Sequence, residues 1–246
     1  MRQVLIVGGA SGIGLALATV LAERVDCERV VVVDRDEVPA AALKPKMESV
    51  VFDLTESDYS VFDRYAGVDA VMVTAGFGRL ALFRDVDEEE IEHSFRVNTV
   101  AAMRLVRRFY GRLESPSPFR MGVMVSIAGY LSSPFFSVYA ATKAALRVFI
   151  ESVNVELQKA GSANCVLNVS PGSIRGTRFG GGTHTDVDGL RPLATDILTH
   201  LEQGDDLFIP QYDEVYRAVL ERYHRDFRAE GLHSYEYKEA RLKKKE

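Results

Sequence analysis

The chain has 246 residues, of which 47% are hydrophobic and 26% charged, and its formal net charge at pH 7 is −5. This is the composition of a globular protein with enough apolar residues for a core. The acidic balance gives no electrostatic reason to expect nucleic acid as a partner. No apolar run approaches the roughly 20 residues of a membrane helix. The N-terminus shows no signal-peptide pattern, so the sequence predicts a cytoplasmic protein. The chain has only two cysteines and no metal-ligand spacing, so no metal site is expected.

Short valine-rich runs alternate with segments of helical pattern along the chain. Such runs are typical of strands buried on both faces of a parallel sheet, and they cover residues 4–7, 30–33, 50–52, 70–73, 122–125 and 165–169. The helical segments lie near residues 12–25, 88–113, 138–160 and 191–203. This alternation predicts an α/β protein with a Rossmann-type, doubly wound parallel sheet. No linker divides the chain, so residues 1–246 are expected to form a single domain.

Two segments depart from this pattern. Residues 176–190 are polar and rich in glycine, so we expect a mobile substrate loop that closes over the site, although a passive surface connection would have the same composition. From about Tyr212 to residue 246 the sequence predicts a helical C-terminal extension with a break at Gly231. Its charged end is interpreted as a solvated terminus rather than a binding arm.

The first predicted strand runs into a glycine-rich turn and then a helix. The turn reads Gly8-Gly9-Ala10-Ser11-Gly12-Ile13-Gly14. Glycines let the backbone approach a pyrophosphate closely, and the helix N-terminus stabilises its charge. Asp34 ends the second predicted strand, where a carboxylate can accept hydrogen bonds from the adenosine ribose. The alternative for Asp34 is a helix N-cap.

Four polar residues suggest a catalytic group. Tyr139 and Lys143 are four residues apart, so on a helix their side chains share one face. Ser126 follows the strand predicted at 122–125, and strands of open α/β sheets carry their ligands at this end. Asn98 lies in a helical stretch, although asparagine is a poor helix former.

These motifs together resemble the short-chain dehydrogenase/reductase family, from Val4 to about Thr177. The glycine turn has the family's spacing, and Asn98, Ser126, Tyr139 and Lys143 match its catalytic tetrad in order and spacing. Val7 and Thr74 stand where the family usually carries Thr and Asn.

The resemblance implies a hydride-transferring enzyme that acts on a small alcohol, ketone or aldehyde. It implies that Tyr139 is the general acid/base, Ser126 orients the substrate oxygen, Lys143 holds the nicotinamide ribose and Asn98 holds a water. Lys143 and the nicotinamide charge are expected to lower the pKa of Tyr139 from about 10 towards neutrality. The implied cofactor contacts are Gly8, Ser11, Gly12, Ile13, Gly14, Asp34, Asp53, Leu54, Ala75, Gly76, Tyr139, Lys143, Pro171, Gly172, Ile174 and Thr177.

Asp34 predicts a preference for NAD(H) over NADP(H). A carboxylate about 4 Å from the 2′-phosphate would be repelled by about 4 kcal/mol at an effective dielectric constant of 20. NADP(H) is not excluded, because Arg35 could swing to bind the same phosphate while Asp36 could hold it away.

A homodimer or homotetramer is expected, assembled through the helices at 88–113 and 138–160. The second helix carries Leu146, Phe149, Ile150 and Val153, an apolar set broader than one buried face requires. Family members commonly pair through these helices. The alternative is that the C-terminal helix covers this surface.

Two rival functions use part of the same pattern. A redox sensor that binds NAD(P) without turnover would need the glycine turn and Asp34, but not Ser126, Tyr139 and Lys143. A sugar-nucleotide epimerase or dehydratase would usually carry a substantial C-terminal substrate domain, and about 70 residues after Pro171 leave little room for one.

Overall fold

The computed structural model describes residues 1–179 and 184–242, with side chains to residue 240. Its strands are β1 Gln3–Val7, β2 Arg29–Asp34, β3 Met47–Val51, β4 Ala70–Val73, β5 Arg120–Met124, β6 Val166–Val169 and β7 Leu207–Phe208. They form one parallel sheet in the order β3-β2-β1-β4-β5-β6-β7. This confirms the doubly wound sheet that the alternating pattern predicts. The sequence pattern missed β7, because two residues are too few to show a period.

Helices cover both faces of the sheet. They are α1 Gly12–Glu23, α2 Glu88–Phe95, α3 Ala101–Glu114, α4 Ser137–Lys159, α5 Val187–Gln203, α6 Arg217–Arg225 and α7 Phe227–Leu242. Residues of α3 and α4 pack on one face of the sheet, and residues of α1 and α5 pack on the other. Each central strand therefore buries both of its faces, which explains the near-continuous valine runs. No helix in the described ranges is long and apolar enough to cross a membrane.

Three predicted boundaries differ from the structure. A π-helical turn, Arg96–Val100, separates α2 from α3 within the segment predicted as one helix. Helix α5 begins at Val187, because the Asp186 side chain accepts a hydrogen bond from Gly189 N and caps it, so the predicted loop loses its last four residues. The predicted break at Gly231 is wrong. The C-terminal helices separate at Asp226, and α7 runs through Gly231.

The predictions for two short segments lie outside the described residues. These are residues 180–183, at the centre of the predicted substrate loop, and residues 243–246, in the predicted charged tail.

The apolar residues of α4 do not form the spare surface that the sequence suggested. Leu146, Ile150 and Val153 are buried in the core of their own chain, and Phe149 packs against it. They pack against residues of α3 and of the sheet. The apolar residues that α4 leaves exposed are Val148 and Val155 instead.

The strand order reverses between β1 and β4. Two neighbouring strands here send their connections to opposite faces of the sheet, which opens a crevice at their carboxyl ends. The turns after β1 and β4 and the loops after β5 and β6 all lie along this edge, and they carry the polar residues described next.

Candidate active site

The glycine turn packs against the end of β4 more closely than any side chain would allow. Gly8 has a φ of +90°, and a Cβ on it would lie 2.3 Å from Ala75 N. A Cβ on Gly14 would lie 2.2 Å from the Gly8 carbonyl oxygen. Thr74, the departure from the family pattern, donates its hydroxyl to that oxygen at 2.8 Å and to Val7 O at 3.1 Å. The threonine therefore ties the turn to β4.

Asp34 braces the glycine turn from the end of β2. Its carboxylate accepts a hydrogen bond from Ala10 N at 2.9 Å and is half-buried. Residues 35–46 form bends and turns, so the alternative of a helix N-cap is wrong. Further along the same edge, Asp53 is exposed and accepts a hydrogen bond from Thr55 N at 2.8 Å, which lowers the pKa of the Asp53 carboxyl. Leu54 beside it is buried.

Ser126, Tyr139 and Lys143 meet at the carboxyl end of β5. Ser126 directly follows the last paired residues of that strand, and the other two lie on the first turns of α4. The Lys143 ammonium lies 5.7 Å from the centre of the Tyr139 ring and donates to Met124 O at 2.7 Å. The Ser126 hydroxyl accepts from Ala128 N at 3.1 Å, and its hydrogen bond to the Tyr139 phenol partly offsets the rise in the pKa of that phenol caused by burial.

Asn98 reaches this group from the π-helical turn between α2 and α3. The wide turn suits an asparagine, which competes poorly for a regular helix. Its side-chain amide pairs with both backbone groups of Phe77, accepting at 2.9 Å and donating at 2.9 Å, and it donates to Thr142 Oγ1 at 3.2 Å. A Cβ on Gly76 would lie 3.2 Å from Asn98 Oδ1 and 3.3 Å from Lys143 Nζ. The structure therefore brings all four predicted tetrad residues together.

Burial moves the pKa values of the two titrating groups in opposite directions. It raises the pKa of Tyr139 to about 12 and lowers that of Lys143 to about 7, because both charged forms are disfavoured away from water. The lowering of the Tyr139 pKa that is expected from Lys143 together with the nicotinamide charge stays a prediction for the cofactor-bound enzyme. The ammonium is directed to the Met124 carbonyl, and the Phe136 and Phe179 rings pack against Tyr139 and reduce its contact with water.

The loop after β6 runs from the loop that carries Ser126 to the glycine turn. Pro171 O accepts a hydrogen bond from Ile127 N at 3.0 Å, which holds this loop against the one that carries Ser126. Further along the loop, Thr177 lies beside the turn, since a Cβ on Gly12 would lie 3.8 Å from the Thr177 Cβ. Thr185 Oγ1 accepts from Gly12 N at 3.0 Å.

Comparison with known proteins identifies the family. The family model for short chain dehydrogenases matches residues 2–187. This chain belongs to the short-chain dehydrogenase family. Its activity is therefore that of an oxidoreductase that transfers hydride, as the resemblance in the sequence implied.

Two curated relatives show how far the similarity extends. The 3-oxoacyl-acyl-carrier-protein reductase MabA of Mycobacterium tuberculosis is 30% identical over 216 residues, which cover 85% of this chain and 78% of that protein. The uncharacterized oxidoreductase TDA5 of Saccharomyces cerevisiae is 25% identical over 215 residues. That match covers 82% of this chain but only 65% of the yeast protein.

A solved structure shares the fold at lower identity. A short-chain dehydrogenase from Sphingobium yanoikuyae, in complex with NADPH, superposes with a TM-score of 0.72 at 23% identity. The match covers 92% of this chain and 96% of that one. A similarity at this identity supports the fold alone.

Aromatic residues that the sequence analysis did not select cover the tyrosine of this short-chain dehydrogenase. The rings of Phe179 and Phe136 have their centres 4.9 Å and 5.9 Å from that of Tyr139. The cavity left between Tyr139 and the loop at Gly78 and Arg79 is only about 10 Å³. Phe136 could have been suspected from its place shortly before the tyrosine, whereas nothing in the sequence singles out Phe179.

Tyr216, in the π-helical turn Tyr212–Tyr216, is a second residue that the sequence analysis missed. Its hydroxyl lies so close to Gly172 that a Cβ there would be 1.5 Å away. Its bond to the Ser173 backbone partly offsets the rise in its pKa caused by burial. The C-terminal extension of this short-chain dehydrogenase therefore contributes directly to the loop after β6.

Proposed function

We propose that this short-chain dehydrogenase reduces a small ketone or aldehyde with a nicotinamide cofactor, and that Tyr139 donates the proton. The observation that carries the proposal is the meeting of Ser126, Tyr139 and Lys143 beside the glycine turn, at the carboxyl edge where open α/β sheets bind ligands. The name of MabA, a reductase, supports the same direction.

The chemistry follows from the state of each side chain. Adding hydride to a carbonyl leaves a developing alkoxide, which must take up a proton. A phenol with a pKa of about 12 is protonated at neutral pH and can donate that proton. Ser126 would hold the substrate oxygen and stabilise its charge. Lys143, with a pKa of about 7, can release a proton towards the tyrosinate, and Gly76 lies close to both its ammonium and Asn98 Oδ1.

The residues along the crevice fit a dinucleotide. The backbone cradle formed by Gly8 and Gly14 has no room for a Cβ, and α1 begins within the turn at Gly12, so the helix N-terminus adjoins this cradle. Asp34 and Asp53 would contact the adenosine half, while Lys143 and the loop from Pro171 to Thr177 would contact the nicotinamide half. The bound nicotinamide would supply the hydride.

The predicted preference for NAD(H) finds no support in the comparisons, because the Sphingobium enzyme is described with NADPH. We therefore propose that NADP(H) is accepted through Arg35, whose side chain is 74% exposed and only 4.0 Å from Asp36. In this proposal the Asp34 carboxylate repels the 2′-phosphate and so weakens the preference for NADP(H) over NAD(H).

Replacing Tyr139 by phenylalanine tests the proposal. The wild-type protein is mixed with NADPH or NADH and with each compound of a panel of ketones and aldehydes. Oxidation of the cofactor should lower the absorbance at the nicotinamide band. Tyr139→Phe keeps the ring and removes the proton, so kcat should fall by at least about 10²-fold while the cofactor still binds. Tyr223→Phe, on α6, is the control and should keep full activity.

A sensor that binds the cofactor without turnover is the rival outcome. It would show cofactor binding by fluorescence with no reduction of any compound in the panel. A variant Tyr139→Phe that retained more than about a tenth of wild-type kcat would contradict the role of this tyrosine even in an active enzyme.

A further inference from the structure

Helix α7 packs on the loop that leads into the catalytic helix α4. The rings of Tyr235 and Phe135 have their centres 4.8 Å apart. A Cβ on Gly231 would lie 3.0 Å from Ser132 Oγ, so the glycine lets the helix approach this loop closely. The C-terminal extension is therefore part of the wall around Tyr139, not a solvated appendage.

Lys238 extends from α7 into this wall. Its ammonium donates to Ser133 Oγ at 2.7 Å and to Pro134 O at 2.9 Å, and it lies 5.6 Å from the centre of the Phe136 ring. That same ring contacts Tyr139. The positive charge is therefore separated from the proposed proton donor by a single aromatic side chain.

The partners of this ammonium are all neutral. Burial lowers the pKa of Lys238 to about 8, and within residues 1–179 and 184–240 no carboxylate forms an ion pair with it. Lys238 is half-buried, and a partly desolvated cation with only neutral partners becomes more favourable when an anion joins it. An ammonium has three N–H donors, and the two hydrogen bonds leave one for a ligand. Ser132, in the same loop, has a buried hydroxyl with no hydrogen-bond partner.

We propose that Lys238 binds the carboxylate of a keto-acid substrate and orients its carbonyl towards Tyr139. The inference rests on the proposed reductase function and narrows its substrate to carbonyl compounds that carry a carboxylate. A carboxylate matches a single remaining donor on a point charge, whereas bidentate recognition would favour arginine. The apolar chain between the two groups of the substrate would lie along Phe136.

Paired substrates and a donor-preserving variant test the inference. The substrates are levulinic acid and its longer methyl-ketone homologues, each assayed beside its own methyl ester. In Lys238→Gln the amide keeps N–H groups for Ser133 and Pro134 but removes the charge. The kcat/KM of wild type should be higher for the best acid than for its ester. Lys238→Gln should lower the acid value by at least about tenfold and leave the ester value within about twofold. Lys159→Gln, at the exposed end of α4, should change neither.

Two results would overturn the inference. One is equal kcat/KM for acid and ester in wild type, and the other is a parallel loss for both in Lys238→Gln, which would mean that Lys238 only fastens α7 to the loop. Calorimetric binding of the same acids and esters gives a readout that does not need turnover. Equal affinities there would reject the carboxylate site, whereas acid-selective binding without reduction would reject only the reductase proposal.

Discussion

The buried ammonium of Lys143, which the proposed reaction uses, should lower the free energy of unfolding of the protein. Its side chain is 2% exposed, and burial lowers its pKa from 10.5 to about 7. A pKa change of this size corresponds to about 5 kcal/mol of unfavourable free energy for the protonated form. The bond to Met124 O does not remove this penalty, since the pKa of Lys143 remains low with this bond in place.

Lys143→Met should therefore raise the free energy of unfolding at acidic pH while it abolishes activity. Methionine fills the space of the lysine stem but leaves the Met124 carbonyl without its partner, which costs about 1–3 kcal/mol. Below pH 7 the variant should be more stable than wild type by roughly 2–4 kcal/mol, the difference of the two terms.

The pH dependence is the sharper test. Between about pH 7 and pH 10.5 the unfolded wild-type chain binds a proton on Lys143 that the folded chain does not. Wild-type stability should therefore rise by about 1.4 kcal/mol per pH unit relative to the variant in this range. Near pH 10 the variant should no longer be more stable than wild type. Urea unfolding of both proteins at about pH 6, 8 and 10 measures the difference.

Lys159→Met is the matched control, because Lys159 is exposed on the same helix and should give a small difference that does not vary with pH. A variant Lys143→Met less stable than wild type at pH 6 would refute the reasoning. A difference between the two proteins that stays constant from pH 6 to 10 would refute it equally, because it would mean that Lys143 titrates normally in the folded protein.

Two further outcomes are expected. Asp34→Asn should raise the ratio of kcat/KM with NADPH to that with NADH by at least about tenfold, because it removes a charge that would face the 2′-phosphate; an unchanged ratio would place the phosphate elsewhere. We also propose a homo-oligomer formed through α3 and α4, where a surface cavity of about 1310 Å³ lies beside Phe149 and the exposed Val100. Light scattering should give at least twice the 27.3 kDa of one chain, and Val148→Glu should weaken the assembly. A monomer mass at micromolar concentration would reject it.

The sheet could be predicted from the sequence because its signal is local. Each buried strand is a short valine-rich run, and each crossover is a helical segment of ordinary length, so the order of elements fixes a doubly wound fold. The glycine turn could be predicted for the same reason, since Gly8 to Gly14 are contiguous. Even Thr74, a departure from the family pattern, occupies its expected place and supplies its own hydrogen bonds to the turn.

The environment of the tyrosine could not be predicted, because distant segments form it. Phe179 belongs to the loop after β6, and Lys238 belongs to the last helix, a hundred residues beyond the tyrosine. A spacing of four residues shows that Tyr139 and Lys143 share a helix face. It does not show that the ammonium turns to a strand carbonyl or that aromatic rings cover the phenol. The pKa of Tyr139 in the chain alone depends on both facts, so the spacing by itself does not determine its direction.

The raised pKa of Tyr139 and the lowered pKa of Lys143 give burial a role in the proposed reaction. A tyrosine with a pKa of about 12 beside a lysine with a pKa of about 7 forms a pair in which the phenol holds its proton until a stronger base arrives. The alkoxide that forms during carbonyl reduction is such a base. The tyrosinate left behind is a far stronger base than the Lys143 amine, so a proton passes from the ammonium to the phenolate with a favourable free energy. Burial thus favours the second transfer, from Lys143 to the tyrosinate. It lessens the driving force of the first transfer by raising the pKa of the phenol, but the alkoxide is basic enough to take that proton. The same burial accounts for the stability that Lys143→Met should recover, because the free energy that makes the ammonium a ready proton donor is the free energy that destabilises the fold.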